Sequence, residues 1–265
     1  MAFIAENRTK ARLAAGDMAL GLVVRQARTV DIAGIGRACD YDWISLDLEH
    51  SSLDLDTAAQ IAYAALGVGL TPIVRSPSKH HYHATRLLDA GAQGVIVPHI
   101  DTRAEAEEMT VAFKYPPAGK RSLASVQPQL SFRSHPVDVT MEAVNRETLL
   151  IAMLESSAAI ANADEIASVE GIDVLLVGTG DLCADMGVPG DVCHPKVEEA
   201  YRHVIEVCQA RGIHAGMAGI HDQAFAAMLV ASGVRLITAG TDLNFLMAGA
   251  RQRSASLRAL LPSGN

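Results

Sequence analysis

The chain has 265 residues, of which 49% are hydrophobic and 20% are charged. This composition is typical of folded globular proteins and argues against a disordered or fibrous one. Lys and Arg number 22 against 30 Asp and Glu, and the formal net charge of −8 argues against nucleic acid as a partner.

Short runs rich in Val, Ile and Leu alternate with longer Ala-rich stretches, which predicts a parallel sheet covered by helices. The predicted strands are residues 19–24, 42–48, 71–75, 94–98, 148–155, 173–178, 213–217 and 234–239. The predicted helices are residues 53–66, 80–90, 103–114, 158–169, 195–210 and 222–231. Eight strands in one uninterrupted alternation favour a single (β/α)8 TIM barrel, an α/β fold, over an open doubly wound sheet. We therefore expect one domain over residues 1–265.

Glycines and one irregular stretch mark the boundaries of these elements. A glycine follows most of the predicted helices, as expected where a helix ends in a left-handed residue. These glycines are Gly67, Gly91, Gly171, Gly212 and Gly233. Residues 115–139 lack the apolar periodicity of a helix or of a strand. They are predicted to form a long loop rather than a boundary between domains.

Other features of the sequence bear on the cellular compartment of the protein. Residues 57–74 form the longest uncharged run, but glycines and a proline interrupt it, so a helix followed by a buried strand explains it better than a membrane span. Residues 1–17 lack the apolar segment of a secretory signal, and we expect a cytoplasmic protein. The cysteines are too widely spaced for a Cys-x-x-Cys pair and are predicted to be reduced thiols: Cys39, Cys183, Cys193 and Cys208.

Polar residues collect where the predicted strands end, which is where a (β/α)8 barrel carries its reactive groups. They are Asp47, Glu49, His50, Arg75, His99, Glu155 and Asp181. A single acidic residue after a strand is ordinarily a helix cap or a solvated charge. The convergence of several such residues favours a functional site.

Glu155 and Asp181 are 26 residues apart, one strand-helix unit, which places them on adjacent strands about 5 Å apart. Two carboxylates at that distance repel each other unless a cation lies between them. Oxygen ligands with positions left open to water and substrate suit Mg²⁺ or Mn²⁺, whereas zinc would prefer His or Cys. The residues alone leave open the alternative that these are two independent helix caps.

His50 and Arg75 end neighbouring strands and could take part in chemistry on an anionic substrate. An imidazole suits proton transfer and a guanidinium can pair with an oxyanion or carboxylate. The structural alternatives are a hydrogen-bonded loop imidazole and an ion pair of Arg75 with Asp47 or Glu49. The two glycines of residues 178–181 would let backbone N–H groups face a substrate carboxylate.

Taken in order, these motifs resemble the HpcH/HpaI family of class II pyruvate aldolases, which includes 4-hydroxy-2-oxoheptanedioate and 2-dehydro-3-deoxyglucarate aldolases. The resembling segments are residues 41–50, 73–75, 87–93, 97–98, 115–121 and 181–187. The resemblance implies a barrel whose last helix packs on a neighbouring subunit, within a hexamer. It also implies a divalent metal, Mg²⁺ or Mn²⁺ with Co²⁺ also possible, held by Glu155 and Asp181.

The same resemblance implies roles for the other residues around a bound pyruvate. Arg75 would contact the keto or enolate oxygen, and the backbone N–H groups of Gly180 and Asp181 would hold the carboxylate. His50 would act as acid and base, and Asp89 would reach that histidine from the adjacent subunit. We expect the loop containing Ala218, together with His99, to shape the aldehyde side of the site.

The expected reaction is the reversible, metal-dependent cleavage of a 4-hydroxy-2-oxo acid to pyruvate and an aldehyde through the enolate of pyruvate. No lysine ends a predicted strand, which argues against an aldolase that uses a Schiff base. The alternatives are a related lyase or decarboxylase acting on a CoA thioester or oxaloacetate, and a barrel that binds a 2-oxo acid without turnover.

Two departures from the family pattern bear on activity. Met153 stands where the family commonly has Gln, which removes a polar side chain near the expected metal. Thr179 stands where the family commonly has Pro, and we expect this to free the turn that binds the carboxylate.

Overall fold

The computed structural model describes residues 3–260. Within that range, eight parallel strands pair in chain order, and the last pairs with the first to close a barrel. The strands are β1 (Ala19–Val24), β2 (Trp43–Asp47), β3 (Thr71–Arg75), β4 (Gly94–Val97), β5 (Leu149–Leu154), β6 (Val174–Gly178), β7 (His214–Ala218) and β8 (Val234–Thr241). The predicted (β/α)8 barrel is confirmed.

The helices surround the barrel and cover its outer face. They are α1 (Arg8–Ala14), α2 (Asp31–Ala38), α3 (Leu55–Val68), α4 (Tyr82–Asp89), α5 (Arg103–Phe113), α6 (Val137–Glu147), α7 (Ser157–Ala161), α8 (Ala163–Ala167), α9 (Thr179–Asp185), α10 (Pro195–Arg211), α11 (Gln223–Ser232) and α12 (Asp242–Arg258). None of those within residues 3–260 has the length and apolarity needed to span a bilayer. The run 57–74 forms α3 and β3, as predicted.

The structure corrects several predicted boundaries. The loop predicted over residues 115–139 contains a 3-10 turn at Pro128–Leu130 and ends inside α6, which the prediction missed. The helix predicted over residues 158–169 is divided at Asn162 into α7 and α8. The missed helix α6 begins after Pro136 without a side-chain cap, so the sequence carries no capping signal at its start.

Glycine positions at helix ends are only partly as predicted. Gly212 and Gly233 close α10 and α11. Gly67 lies inside α3, which continues to the left-handed Gly69, φ +78°. The Gly69 N–H donates to carbonyl groups of the last helical turn, so this glycine rather than Gly67 ends the helix. Gly171 lies beyond Ser168, the residue that closes α8.

The barrel interior is filled by side chains at its amino-terminal end. The indole of Trp43 is fully buried there, and its Nε1 donates to the Ala19 carbonyl at 3.2 Å. A Cβ atom on Gly21 would lie 2.1 Å from the Trp43 ring, so only glycine leaves room for the indole. Leu13 of α1 belongs to the same interior cluster. Helix α1 therefore covers the floor of the barrel.

Candidate active site

The carboxyl-terminal end of the barrel opens into a cavity of about 230 Å³. Six of the residues predicted for the site line it: His50, Arg75, Glu155, Gly180, Asp181 and Ala218. Asp89 does not line this cavity. Of the seven residues predicted at strand ends, four therefore line one cavity: His50, Arg75, Glu155 and Asp181.

Strand periodicity explains why these side chains meet. Alternate residues of a barrel strand point inward, and the deeper inward positions are occupied by apolar residues such as Trp43, Ile73 and Met153. Two residues after Ile73 and Met153 come positions that carry charge. Arg75 continues the inward row of β3, and Glu155 continues that of β5. The apolar layers thus form the base on which the charged residues stand.

Asp47 fixes the position of Arg75. The carboxylate is fully buried and accepts hydrogen bonds from Arg75 Nε at 2.9 Å and Nη2 at 2.5 Å. Arg75 Nη1 also lies 3.1 Å from Glu49 Oε2. Burial alone would raise the pKa of Asp47, but the hydrogen bonds and charge of Arg75, with bonds from the His50 N–H and from Arg25, hold the pKa below its ordinary value. The ion pair considered as a structural alternative for Arg75 is present, and Arg75 lines the cavity as well.

Glu155 is buried at the first residue after β5. Its Oε2 accepts the backbone N–H of His99 at 2.9 Å and lies 3.1 Å from His99 Nδ1. Burial raises the pKa of Glu155 to about 7; the charge and N–H of His99 oppose this, and the carboxylates of Glu49 and Asp181 reinforce it. A buried carboxylate among other carboxylates disfavours its own ionised form. A cation beside Glu155 would remove that cost.

The donor set fits a magnesium or manganese ion. Glu155 and Asp181 line the cavity from adjacent strand ends and offer oxygen ligands. Within residues 3–260, no cluster of three or more His, Cys, Asp or Glu side chains has the arrangement of a metal centre. Two protein carboxylates with the other positions left to water and substrate are what Mg²⁺ commonly uses, whereas a structural zinc site needs four protein ligands.

The turn after β6 differs from expectation. Helix α9 begins directly at Thr179, whose buried hydroxyl donates to the Ala218 carbonyl at 2.7 Å and lies 2.7 Å from the Tyr201 hydroxyl. Thr179 therefore ties the turn to β7 and α10 and does not free it, contrary to the prediction. Gly180 and Asp181 follow on the cavity wall, at the first turn of the helix.

His50 lies at the rim, with 48% of its side chain exposed. Its Nε2 is 3.7 Å from Glu49 Oε2, and its backbone N–H donates to Asp47 Oδ1 at 3.2 Å. The imidazole is thus held near the two acidic residues of its own loop while it faces the cavity. This position suits exchange of a proton with a bound molecule.

Asp89 occupies the last position of α4, outside the cavity. One of its oxygens accepts a 2.6 Å hydrogen bond from Arg121 Nη2, and 41% of its side chain is exposed. The Arg121 side chain itself is buried and lies over the Tyr115 ring at 4.6 Å. Within one chain, Asp89 and His50 do not share a site.

Arg25 was not among the predicted site residues, but its side chain lines the cavity beside Asp47. The signal was present, because Arg25 continues the inward row of Ala19, Gly21 and Val23 one residue beyond the end of β1.

His99 was expected on the aldehyde side. The structure places it against Glu155 with a left-handed backbone, φ +56°, which no pattern in the sequence indicates.

Comparison with known proteins agrees with this geometry. Residues 23–248 match the family described as HpcH/HpaI aldolase/citrate lyase. A 4-hydroxy-4-methyl-2-oxoglutarate aldolase of Hapsidospora irregularis is 33% identical over 261 residues, 96% of this chain and 96% of its own length. A hydroxypyruvate/pyruvate aldolase of Rhizorhabdus wittichii is 37% identical over 223 residues, 83% of this chain and 87% of its own.

A solved structure is similar over the whole barrel. The HpcH/HpaI aldolase of Desulfitobacterium hafniense superposes with a TM-score of 0.90 at 26% identity, over 97% of this chain and 98% of that one. The strand-end residues, the barrel and the relatives lead to the same conclusion. This chain belongs to the HpcH/HpaI aldolase/citrate lyase family and is an aldolase of that lyase family.

Proposed function

We propose that this protein uses a divalent cation, Mg²⁺ or Mn²⁺ with Co²⁺ as a possible substitute, to cleave a 4-hydroxy-2-oxo acid reversibly into pyruvate and a carbonyl compound. The observation that supports this most directly is that Glu155, Asp181, Arg75 and His50 line one cavity at the carboxyl ends of the strands. Two oxygen ligands, a fixed cation and a proton carrier are the groups that the reaction needs.

In this proposal each residue acts on a particular part of the substrate. When bound by Glu155 and Asp181, a divalent ion supplies Lewis-acid stabilisation of the enolate charge. Arg75, held rigid by Asp47, donates to the keto oxygen as negative charge develops there. The backbone N–H groups of Gly180 and Asp181 bind the carboxylate. The small side chain of Ala218 leaves room for the substrate beside them.

Proton movement is assigned to His50. Cleavage of the bond between C3 and C4 requires removal of the proton on the C4 hydroxyl and, afterwards, return of a proton to the methylene carbon of the enolate. His50 lies on the cavity rim, where it can exchange protons with solvent between the two steps. An imidazole has one nitrogen that can accept a proton and one that can donate it, as both steps require.

We also propose that the protein is a cytoplasmic homo-oligomer, a hexamer by resemblance to its family. No residue of α12 is buried within residues 3–260, and its exposed apolar side chains include Phe245 and Leu246, the latter 66% exposed. A second copy would cover this face. In such an assembly the free oxygen of Asp89 could approach His50 of a second copy, as the resemblance implies.

Proton exchange at the methyl group of pyruvate tests the proposal, because it requires only that the protein bind pyruvate and form its enolate. The second product of the cleavage is not needed. We expect the pyruvate methyl signal to be lost in D₂O with Mg²⁺ or Mn²⁺ and retained with EDTA. Glu155→Gln and Asp181→Asn should abolish exchange and weaken Mn²⁺ binding in calorimetric titration. Asp185→Asn is the matched control, since Asp185 lies on the same helix but accepts the Ser157 N–H at 2.7 Å outside the cavity.

Two results would contradict the proposal. Undiminished exchange in Asp181→Ala would show that the carboxylate is not needed. Metal-dependent binding of pyruvate without exchange would favour a protein that binds a 2-oxo acid without turnover.

A further inference from the structure

Arg25 has a guanidinium group that the protein orients through only part of its hydrogen-bond donors. Its Nε donates to Asp47 Oδ2 at 2.6 Å. Neither of its two terminal nitrogens has a protein acceptor within residues 3–260, and 31% of the side chain is exposed, on the cavity wall. Because Asp47 already accepts two hydrogen bonds from Arg75, it does not require the remaining donors of Arg25.

The backbone that carries Arg25 is fixed by Asp242, the first residue of α12. The Asp242 carboxylate accepts three consecutive N–H groups, from Arg25 at 3.0 Å, Gln26 at 2.9 Å and Ala27 at 2.8 Å. The guanidinium is therefore held at both its backbone and its Nε. A preorganised donor binds an anion with a smaller entropic cost than a free surface arginine.

Arg25 lies across the barrel mouth from the candidate metal ligands. It follows β1, whereas Glu155 and Asp181 follow β5 and β6, on the opposite side of the closed strand order. Among the described residues that line the cavity, Glu155 and Asp181 are the only acidic ones. The wall near Arg25 is completed by polar side chains that carry no carboxylate: His221, Thr238, Thr241 and Asn244.

We propose that Arg25 forms a subsite for a carboxylate on the fragment that leaves as the carbonyl product. This inference rests on the proposed function, in which pyruvate is held at Glu155 and Asp181. A substrate that reaches both walls must then be a dicarboxylic 4-hydroxy-2-oxo acid. The two terminal nitrogens of Arg25 can donate to a carboxylate as a pair, which is the interaction that a guanidinium makes best.

The reaction balances without any further reagent. The bond between C3 and C4 breaks, and its electron pair stays on C3 as the enolate of pyruvate. The C4 hydroxyl loses its proton as the C4 carbonyl forms, and the enolate gains one proton at C3. The products are pyruvate and an aldehyde or 2-oxo acid that keeps the second carboxylate next to Arg25.

The test compares acceptors that differ in charge, in the aldol direction with pyruvate. One pair is glyoxylate and glycolaldehyde, and the other is succinic semialdehyde and its methyl ester. We expect the wild type to favour the anionic member of at least one pair. In Arg25→Gln, the ratio of kcat/KM for the anionic member to that for its neutral counterpart should fall about 10- to 100-fold, as expected for loss of a charge-assisted hydrogen bond.

Two further variants make the comparison specific. Arg25→Lys keeps the charge but loses the paired donors, so its ratio should lie between those of the wild type and Arg25→Gln. Arg37→Gln removes the same charge from an exposed position on α2 that does not line the cavity, and its ratio should equal that of the wild type. A ratio of rates is insensitive to any loss of folded enzyme, because both acceptors are measured on the same sample.

The outcomes distinguish failure of the subsite proposal from failure of the proposed reaction on which it depends. If the wild type exchanges the pyruvate methyl protons but Arg25→Gln and Arg25→Lys both keep the wild-type ratio, the subsite is overturned and the aldolase proposal stands. If the wild type shows no metal-dependent exchange, both proposals are overturned. A lowered ratio in Arg25→Gln with an unchanged ratio in Arg37→Gln supports the subsite.

Discussion

The buried carboxylate of Asp47 accepts hydrogen bonds from Arg75 Nε at 2.9 Å and from Nη2 at 2.5 Å, and the register of the barrel pairs the two residues directly. The same carboxylate accepts Arg25 Nε at 2.6 Å. One acidic side chain therefore orients both arginines that line the cavity. The positive charges of the two arginines compensate the buried negative charge of Asp47. The three groups therefore depend on one another for stability as well as for position.

Asp47→Asn should lower both the stability of the fold and the activity. The amide keeps the shape of the side chain but leaves two arginines without their anion, and loss of one partner of a buried pair costs about 3–5 kcal/mol. Misplacement of Arg75 should lower kcat/KM about 100-fold. Urea unfolding and pyruvate exchange measure the two effects. The control is Asp54→Asn, which preserves a good cap for α3; equal effects of the two changes would contradict this prediction.

Gly178→Ala should disturb Glu155 while leaving the chain folded. A Cβ atom at Gly178 would lie 2.5 Å from Glu155 Cγ and 2.7 Å from its Oε1, so the carboxylate must move. We expect Mn²⁺ affinity, measured by calorimetry, to fall at least tenfold. Gly34→Ala is the matched control, because no atom lies within 4 Å of a Cβ there. That change on α2 should stabilise the helix by about 0.5–1 kcal/mol and leave Mn²⁺ affinity as it was.

Thr179 should contribute to stability through its hydroxyl alone. Thr179→Val keeps the shape but leaves the Tyr201 hydroxyl and the Ala218 carbonyl with one partner fewer in a buried location, which costs about 1–3 kcal/mol. Thr179→Ser keeps the hydroxyl and should recover most of that loss in urea unfolding. Equal destabilisation by Val and Ser would contradict the prediction, because it would show that the methyl group contributes as much as the hydroxyl.

Lys114 gives a prediction about pH. Burial lowers the pKa of Lys114 to about 8 from an ordinary 10.5, although its Nζ donates to the Asn145 and Thr148 carbonyls at 2.7 Å each. Between these values the unfolded chain binds more protons than the folded one, so this residue's contribution to the free energy of unfolding increases as pH rises from 8 to 10.5. The increase is at most about 3 kcal/mol.

The measurement is the difference in unfolding free energy between the wild type and Lys114→Met, since other titrating groups are common to both. The wild type should gain relative to the variant as pH rises from 7.5 to 10. A difference that does not change with pH, or one that changes in the opposite direction, would contradict the prediction.

Much of the site could be predicted from the sequence because strand periodicity is a short-range property. The alternation that buries Ile151 and Met153 in the barrel also carries Glu155 into the cavity, and both are visible in the printed chain. Arg25 obeys the same rule, but it lies one residue beyond β1 in a segment without other motifs. It could have been found by extending the inward row of each strand by one step.

Other features depend on contacts that no local pattern encodes. The bond from Thr179 to Ala218 joins residues 39 positions apart, and the left-handed residue His99 donates its N–H to Glu155, 56 positions away. The place of Asp89 at the end of α4 shows that one chain does not bring it to His50. Its predicted role requires a second copy, whose position a single sequence does not specify.

The closed floor of the barrel has a kinetic consequence. Trp43 fills the interior where Gly21 leaves space, and Leu13 of α1 packs beneath it, so within residues 3–260 the cavity opens only toward the strand ends. Two fragments produced by cleavage must leave through the same opening, which is also the route by which the next substrate molecule enters. A fragment that stays in the cavity after the other has left should therefore act as a competitive inhibitor of the next substrate molecule.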